Sequence, residues 1–301
     1  MNIYIRAMRL PFLTGSLIPV LLAAAQAYHD GFFRGFELLL VFIGVGSLHI
    51  AANMTNDYFD APASDRINLH PTPFSGGSRV IQEELLSARW VLGISIFFFA
   101  LALATGLILI RLGHPYVALV GLLGFLAGFF YSADPIKFMS RGLGEITIFL
   151  AFGPLITWGT YYVLAGQLTW AAFFLGFPLG FLIAAVIWIN QFPDFQADRD
   201  SQKRNLVVRL GLEPSRWIYL LLMILPFPFL FFLLGTQGIS AWILIAWTAL
   251  PLAVKALRIF WGHYALYEQI VPAQALTIQT HMVMGVLMLV GILIGHFLQR
   301  T

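Results

Sequence analysis

Nine apolar stretches of about membrane-spanning length recur along the 301-residue chain, and they constrain its fold more than any other feature. A helix that crosses a bilayer needs about 20 mostly apolar residues. With 59% hydrophobic and only 10% charged residues, the chain is too apolar for a soluble domain of this size. We predict an all-α integral membrane protein, with residues 1–301 forming one domain of nine transmembrane helices around a central cavity. The predicted spans are 10–28, 36–56, 89–110, 115–131, 143–164, 170–192, 216–234, 239–257 and 277–298.

The distribution of basic residues predicts how these helices are oriented. Two long polar connections, 57–88 and 192–215, follow even-numbered spans and therefore lie on the same side of the membrane. All but three of the 17 lysines and arginines belong to that side, the exceptions being Arg34, Arg111 and Arg300. Because cytoplasmic loops are enriched in basic residues, this side is predicted to face the cytoplasm. We expect a multi-pass protein of the cytoplasmic or inner membrane, surrounded by lipid, with its active site facing the cytoplasm and no nucleic-acid partner.

The second predicted span ends in a polar motif that indicates function. Asn53, Asn56, Asp57 and Asp60 are spaced at i, i+3, i+4 and i+7, so they line one face if the helix continues. His49 lies one turn earlier on that face. Acidic side chains at the end of a membrane helix are costly unless they face a cavity or a cation. The motif therefore predicts a functional site at this helix end.

The sixth predicted span ends in the same way. Asn190, Asp194 and Asp198 are four residues apart and share a helix face. Together with Asp65 and Asp200, the two motifs supply hard oxygen ligands, and the chain has no cysteine to supply a thiolate. Several carboxylates that meet without a cation repel each other, and carboxylate and amide oxygens suit Mg²⁺. The two motifs therefore predict a shared magnesium site.

Basic residues near the two motifs extend this prediction to a substrate. They are Arg66, Arg79, Lys137, Arg141, Lys203 and Arg204. Lysine and arginine donate charge-assisted hydrogen bonds to phosphate oxygens. Acids, Mg²⁺ and basic residues beside an apolar cavity together predict a diphosphate that carries a lipid tail.

At these residues the chain resembles the UbiA superfamily of intramembrane aromatic prenyltransferases. Asn56-Asp57-Tyr58-Phe59-Asp60 matches the family's NDxxD motif, and Asp194-Phe-Gln-Ala-Asp198 matches its DxxxD motif. The stretch from Tyr131 to Lys137 is similar to the family's YSAxPxK. The resemblance implies Mg²⁺-dependent transfer of a polyprenyl group from polyprenyl diphosphate to an aromatic acceptor.

Three further stretches are similar to the menaquinone branch of that superfamily, which prenylates 1,4-dihydroxy-2-naphthoate. They are residues 73–79, 153–162 and 203–211. The resemblance therefore implies 1,4-dihydroxy-2-naphthoate as the acceptor, giving demethylmenaquinol with loss of CO₂ and diphosphate.

The resemblance also implies a role for each polar residue. The expected metal ligands are Asn56, Asp57, Asp60, Asp194 and Asp198, and the four acids among them are expected to be catalytic together with Lys137. The expected diphosphate-binding residues are Arg66, Arg79, Tyr131, Lys137, Arg141, Asn190 and Lys203. The expected acceptor-binding residues are His49, Asn53 and Arg141. Asp65 is not included, because its spacing from Asp60 departs from the family pattern; the spacing of Lys137 from Tyr131 departs from it as well.

Other functions remain as alternatives. A transporter would place its acids in mid-helix, whereas here they cluster at helix ends and in loops. The CDP-alcohol phosphotransferases, whose motif begins D-x-x-D-G-x-x-A-R, are rejected because Ala-Pro-Ala-Ser follows Asp60. Within the UbiA superfamily, 4-hydroxybenzoate, homogentisate, haem and chlorophyllide are the alternative acceptors.

Overall fold

The nine apolar stretches form helices in a computed structural model that describes residues 2–235 and 238–299. Within those residues some of the nine helices are entirely α-helical and others also contain a 3₁₀ or π segment, and no strand is found. They are α1 (Thr14–His29), α2 (Gly35–Asp60), α3 (Ala88–Arg111), α4 (Val117–Phe129), α5 (Gly144–Leu150 through Ala151–Leu155 to Ile156–Ala165), α6 (Trp170–Leu175 and Phe177–Asp200), α7 (Leu212–Ile224 and Pro226–Leu234), α8 (Ala241–Ala249 and Leu250–His263) and α9 (Val271–Gln299). Arg300, one of the residues in the charge prediction, lies outside the described residues.

The helical membrane fold predicted from the sequence is confirmed, with one helix shorter than expected. Among the described residues, 8 helical segments are long and apolar enough to cross a bilayer. The ninth, α4, has 13 residues. At 1.5 Å per residue it is about 20 Å long, which is less than the thickness of a bilayer core of about 30 Å. The chain is an integral membrane protein.

The two acidic motifs lie at the last turns of α2 and α6. Helix α2 continues through its whole motif and ends at Asp60, immediately before Ala61-Pro62. Ala61 still has helical backbone angles, with φ of −54° and ψ of −44°, but Pro62 has no N–H to continue the hydrogen-bond pattern of the helix. Helix α6 carries its motif to Asp200 although Pro193 lies inside it. Both motifs are therefore held on rigid helices.

Helices α5 and α6 approach each other closely at Gly153 and Gly176. A Cβ atom on Gly153 would lie 2.4 Å from the backbone oxygen of Gly176, so no larger residue fits there. Residues 151–155 form a π-helical turn of α5 that contains Pro154. Insertions of this kind are frequent at functional sites. Here the turn directs Phe152 and Leu155 towards the space between α2 and α6.

The bundle is tightly packed on one side and hollow on the other. The large buried core lies between α6, α7, α8 and α9, with fully buried residues such as Leu182, Phe227, Phe260 and Met288. Helices α2 to α5 instead surround an open space, and α4 has no fully buried residue. The hollow side is therefore the place where the bundle can hold a substrate.

Candidate active site

The hollow side contains a cavity of about 700 Å³ with apolar walls and a polar end. The walls come from α2, α3, α4, α5 and α6 and include Val45, Leu48, Val120, Leu155, Val163 and Ile187. The polar end is lined by Arg9, Asn53, Asn56, Asp60, Asp65, Arg79, Tyr131, Asn190, Asp194, Asp198 and Lys203. Both acidic motifs therefore reach one cavity from two helices.

In the first motif, Asn56 and Asp60 line the cavity. The Asn56 Nδ2 group donates to Asp60 Oδ2 at 2.8 Å and to Ser132 Oγ at 2.9 Å. Asp57 lies outside the cavity lining, because its Oδ1 atom is paired with the Arg9 guanidinium and accepts from the Ser78 N–H at 3.2 Å. Asp57 is thus paired outside the cavity lining, whereas Asp60 faces the open space.

Arg9 is a site residue that the sequence motifs do not include. It precedes α1 with φ of 50°, and this left-handed backbone turns the chain into the short helix Leu10–Leu13. Its side chain reaches both Asp57 and Asn56 Oδ1, 3.4 Å away. Arg9 and Asp57 are 48 residues apart in the sequence, so no local sequence pattern indicates their contact.

In the second motif, Asp194 is held by the loop that connects α2 to α3. Its Oδ1 accepts from Asn68 Nδ2 at 2.7 Å and from Ser75 Oγ at 3.1 Å, and its Oδ2 accepts from the Gly76 N–H at 3.2 Å. Asn190 donates to the backbone oxygen of Phe74 at 2.9 Å. The loop therefore covers the polar end of the cavity, and all of its donors to Asp194 are neutral.

Lys203 connects the two motifs. Its Nζ atom lies 3.1 Å from Asp60 Oδ2 and 3.4 Å from Asp198 Oδ1. The other oxygen of Asp198 accepts from Asn205 Nδ2 at 2.7 Å. Burial alone would lower the pKa of Lys203, but the charges of Asp198 and Asp60 outweigh it and raise that pKa well above its ordinary value. Lys203 is therefore a buried cation between two acids.

Asp65, which is not among the expected metal ligands, is buried and lines the same cavity. Burial, followed by the negative charge of Asp60, raises the pKa of Asp65 to about 7. Gly77 has a φ of 78°, and a Cβ there would lie 2.2 Å from Asp65 Oδ2. The glycine therefore leaves the space that this carboxylate occupies. Asp65 lies on the short helix Ser64–Ile67.

The structure does not bring four of the predicted cations to the cavity: Lys137, Arg141, Arg66 and Arg204, the last of which is exposed. Lys137 pairs with Asp134 at 2.9 Å, Arg141 is exposed and donates to the backbone oxygen of Pro135 at 2.8 Å, and Arg66 is exposed. The loop after α4 is folded by its own hydrogen bonds, including Met139 N–H to Tyr131 O at 3.1 Å.

The conformation of the loop after α4 separates the two ends of the predicted Tyr131–Lys137 motif. Tyr131 lines the cavity, whereas Lys137 points away from it. The prediction that Lys137, Arg141 and Arg66 bind the diphosphate does not match this geometry, because none of the three lines the cavity. Asp200 is also exposed and accepts from Gln196 at 2.7 Å.

A family model matches most of the chain. Residues 16–265 match the model of the UbiA prenyltransferase family. The chain belongs to the UbiA prenyltransferase family. It is therefore a prenyltransferase, as the sequence motifs predicted.

Curated relatives and solved structures extend along most of this UbiA prenyltransferase. The chain is 22% identical over 288 residues to the 1,4-dihydroxy-2-naphthoate octaprenyltransferase of Bacillus subtilis, covering 95% of this chain and 90% of that protein. It is 30% identical over 247 residues to the Escherichia coli enzyme of the same name, covering 79% and 78%. A UbiA homologue from Archaeoglobus fulgidus bound to GPP and Mg²⁺ has a TM-score of 0.65 at 18% identity, covering 96% of this chain and 100% of that one. A homologue from Aeropyrum pernix has a TM-score of 0.70 at 14% identity, covering 91% and 97%.

The side chains of this prenyltransferase fit a divalent cation by their chemistry. Among the described residues, no three acidic or histidine side chains stand close enough to form a preassembled metal cluster. However, the cavity is lined by the carboxylates of Asp60, Asp65, Asp194 and Asp198, all hard oxygen donors of the kind that Mg²⁺ prefers. The ammonium group of Lys203 lies between two of them, where a cation is electrostatically favoured.

A second group of cavity residues lies deeper along α2. Asn53 and His49 also line the cavity, about one and two helical turns before Asn56. His49 Nδ1 is 2.5 Å from Ser16 Oγ, and the His49 ring meets Phe152 edge-on with centroids 5.4 Å apart. This part of the cavity combines ring surfaces with a few polar groups, which suits a polar aromatic molecule.

Proposed function

We propose that this UbiA prenyltransferase transfers a polyprenyl group from polyprenyl diphosphate to 1,4-dihydroxy-2-naphthoate. The products are demethylmenaquinol, CO₂ and diphosphate. The observation that carries the proposal is one cavity whose apolar walls suit a prenyl tail and whose polar end joins both acidic motifs. The names of the Bacillus subtilis and Escherichia coli relatives support the choice of acceptor.

The polar end is assigned to the diphosphate and its Mg²⁺. Asn56, Asp60, Asp194 and Asp198 would hold the metal, as predicted, and we add Asp65 because of its place in the cavity. Bound Mg²⁺ would neutralise the diphosphate and make it a better leaving group. The diphosphate-binding residues are then Lys203, Tyr131 and Asn190, all of which line the cavity. Asp57 is assigned a positioning role, since it holds Arg9 beside Asn56.

The apolar walls protect the ionised prenyl group. When the bond between the prenyl carbon and the diphosphate oxygen breaks, the electron pair leaves with the diphosphate and an allylic cation remains. Water would quench this cation, and the aliphatic walls exclude it. The rings of Phe12 and Phe74, with centroids 6.4 Å apart, and of Phe152 also line the cavity and supply π faces for a cation.

The acceptor is assigned to the region of His49, Asn53 and Arg79. The aromatic carbon that bears the carboxylate attacks the allylic cation, and a new carbon–carbon bond forms. The bond to the carboxylate then breaks, its electron pair restores the aromatic ring, and CO₂ leaves. Since CO₂ leaves instead of a proton, this step requires no strong base. Arg79, unlike Arg141, lines the cavity and is assigned to the acceptor carboxylate.

Two further parts of the proposal concern the whole chain. We place the polar end of the cavity at the cytoplasmic face, supported by the concentration of lysine and arginine on that side. We also treat residues 1–301 as a single prenyltransferase domain. Packing of α9 against α1, which joins the two ends of the described bundle, supports this.

The test is a turnover assay with purified protein in lipid nanodiscs. Polyprenyl diphosphates of several lengths are supplied with Mg²⁺ and 1,4-dihydroxy-2-naphthoate labelled at the carboxyl carbon. We expect labelled CO₂ to be released in step with prenylated product. Prenylation of 4-hydroxybenzoate with its carboxylate retained would show that the acceptor assignment is wrong. Substrate flux into liposomes without any prenylated product would instead support the transporter alternative.

A further inference from the structure

Lys203 takes part in a contact that the proposed reaction does not by itself explain. Its Nζ atom bridges Asp60 of the first motif and Asp198 of the second, at 3.1 and 3.4 Å. The side chains are almost sealed from solvent, with 14% exposure for Lys203, 12% for Asp60 and 3% for Asp198. The ammonium group therefore occupies a position between two carboxylates that the proposed metal also needs.

The local backbone fixes Lys203 in this position. At the end of α6 the chain reverses through Gln202, whose φ is 63°. The Lys203 N–H then donates to the backbone oxygen of Asp198 at 2.8 Å, and Ser201 Oγ donates to the same oxygen at 3.0 Å. This turn directs the lysine side chain back over the helix end. The bridge is thus built into the fold and is not a chance orientation of a surface lysine.

We propose that Lys203 is an internal counter-ion that holds the two acidic motifs together until metal and diphosphate arrive. It competes with the divalent cation for Asp60 and Asp198, and on displacement it donates to the diphosphate instead. The inference rests on the proposed function, because it takes the motifs to be metal ligands.

The consequence is cooperative binding of metal and diphosphate. A divalent cation that binds alone must displace the ammonium from its two carboxylates, and the released ammonium then loses both of its ion-pair partners in a mostly apolar cavity. When diphosphate binds as well, its oxygens accept the hydrogen bonds that Lys203 gives up. Since coupling between two ligands is reciprocal, each should strengthen the binding of the other. Such coupling would also disfavour metal binding in the absence of diphosphate.

The test measures metal binding directly, without turnover. Mn²⁺ binding is followed by equilibrium dialysis at matched free Mn²⁺ concentrations, with and without inorganic pyrophosphate. The proteins are the wild type, Lys203→Met, and Lys255→Met as a matched control on the exposed face of α8. Lys203→Gln is added because it keeps a neutral donor between the carboxylates if the methionine variant does not fold.

Without pyrophosphate, we expect the Lys203 variants to bind Mn²⁺ about tenfold more tightly than the wild type, because the competing charge is absent. Pyrophosphate should strengthen Mn²⁺ binding to the wild type and to Lys255→Met by about tenfold or more, and to the Lys203 variants by much less. Equal Mn²⁺ affinity of the wild type and the Lys203 variants would overturn the counter-ion role while leaving the proposed function intact. Failure of every protein to bind Mn²⁺, even with pyrophosphate, would overturn the metal assignment in the proposed function itself.

Discussion

The two acidic motifs look alike in sequence but are held differently. In the first motif, Asp57 is paired with a guanidinium and is withdrawn from the cavity, while Asp60 faces it. In the second motif, Asp194 and Asp198 both face the cavity, and Asp194 is held by neutral donors from the loop between α2 and α3. Only one of the two carboxylates in the first motif therefore lines the cavity, where a ligand can reach it.

This difference separates a structural acid from acids that can exchange partners. Asp57 is the single ion-pair partner of Arg9 among the described residues, and its release would leave a lone charge in a region of low dielectric constant. Asp60 and Asp198 instead share Lys203, so either of them can be released while the other keeps the ammonium group paired. Neutral donors to a carboxylate are weaker partners and can be replaced by a cation. Asp57 therefore fixes Arg9 beside Asn56, while Asp60, Asp194 and Asp198 are the side chains assigned to the metal.

The largest expected effect comes from removing the exchangeable acids. Asp60→Ala and Asp194→Ala should each lower kcat by at least about 10²–10³-fold, because each removes a carboxylate that would stabilise the leaving diphosphate through the metal. The double variant should be little worse than either single variant, since both acids serve one cluster. The measurement is single-turnover prenylation in nanodiscs, with Asp200→Ala as a matched control at an exposed acid outside the cavity. An active double variant would refute the assignment of the two motifs.

Removal of the metal should abolish activity without unfolding the protein. EDTA is expected to stop turnover, and an excess of Mg²⁺ should restore it. The thermal unfolding midpoint should change little, because the donors around Asp194 and the Lys203 ammonium satisfy the carboxylates without metal. Turnover and unfolding are measured on the same chelated sample. Full activity after thorough chelation would contradict a metal-dependent mechanism.

The sequence predicted the membrane fold well, because the signals for it are local. Each span is a run of apolar residues that can be recognised without its neighbours. The helical spacing of Asn56 and Asp60 and of Asp194 and Asp198 also predicted which residues share a face. The structure brings all four to one cavity, although their roles remain a proposal.

The sequence could not show which charges reach the site, because that depends on contacts between distant segments. Lys137 and Lys203 both follow a helix end closely, yet only Lys203 is turned back into the cavity by its loop. Arg9 and Asp57 meet across nearly fifty residues. The number of basic residues on one side of the membrane does not distinguish these residues, because the loop backbone determines which side chains reach the cavity.

Breaking the Arg9–Asp57 pair should reduce stability more than any change at an exchangeable acid. Asp57→Ala leaves the guanidinium without its partner and is expected to lower the free energy of unfolding by about 3–5 kcal/mol. Arg9→Met combined with Asp57→Leu should recover part of this loss, because no unpaired charge remains. Thermal unfolding in nanodiscs compares these variants with Asp60→Ala. A destabilisation by Asp60→Ala as large as that by Asp57→Ala would remove the distinction between the two acids.

The smallest expected effects distinguish arginines inside the cavity from those outside it. Arg79→Ala should raise KM for 1,4-dihydroxy-2-naphthoate by about tenfold to a hundredfold, which corresponds to the loss of one hydrogen bond to a charged group. Arg141→Ala, by contrast, should stay within about twofold of the wild type, because surface substitutions away from a site usually change free energies by no more than about 0.5 kcal/mol. The measurement is KM for the acceptor at saturating polyprenyl diphosphate, with unfolding midpoints as a check on folding. If Arg141→Ala raised KM more than Arg79→Ala, the loop after α4 would have to rearrange when substrate binds, and Arg141, not Arg79, would hold the acceptor carboxylate.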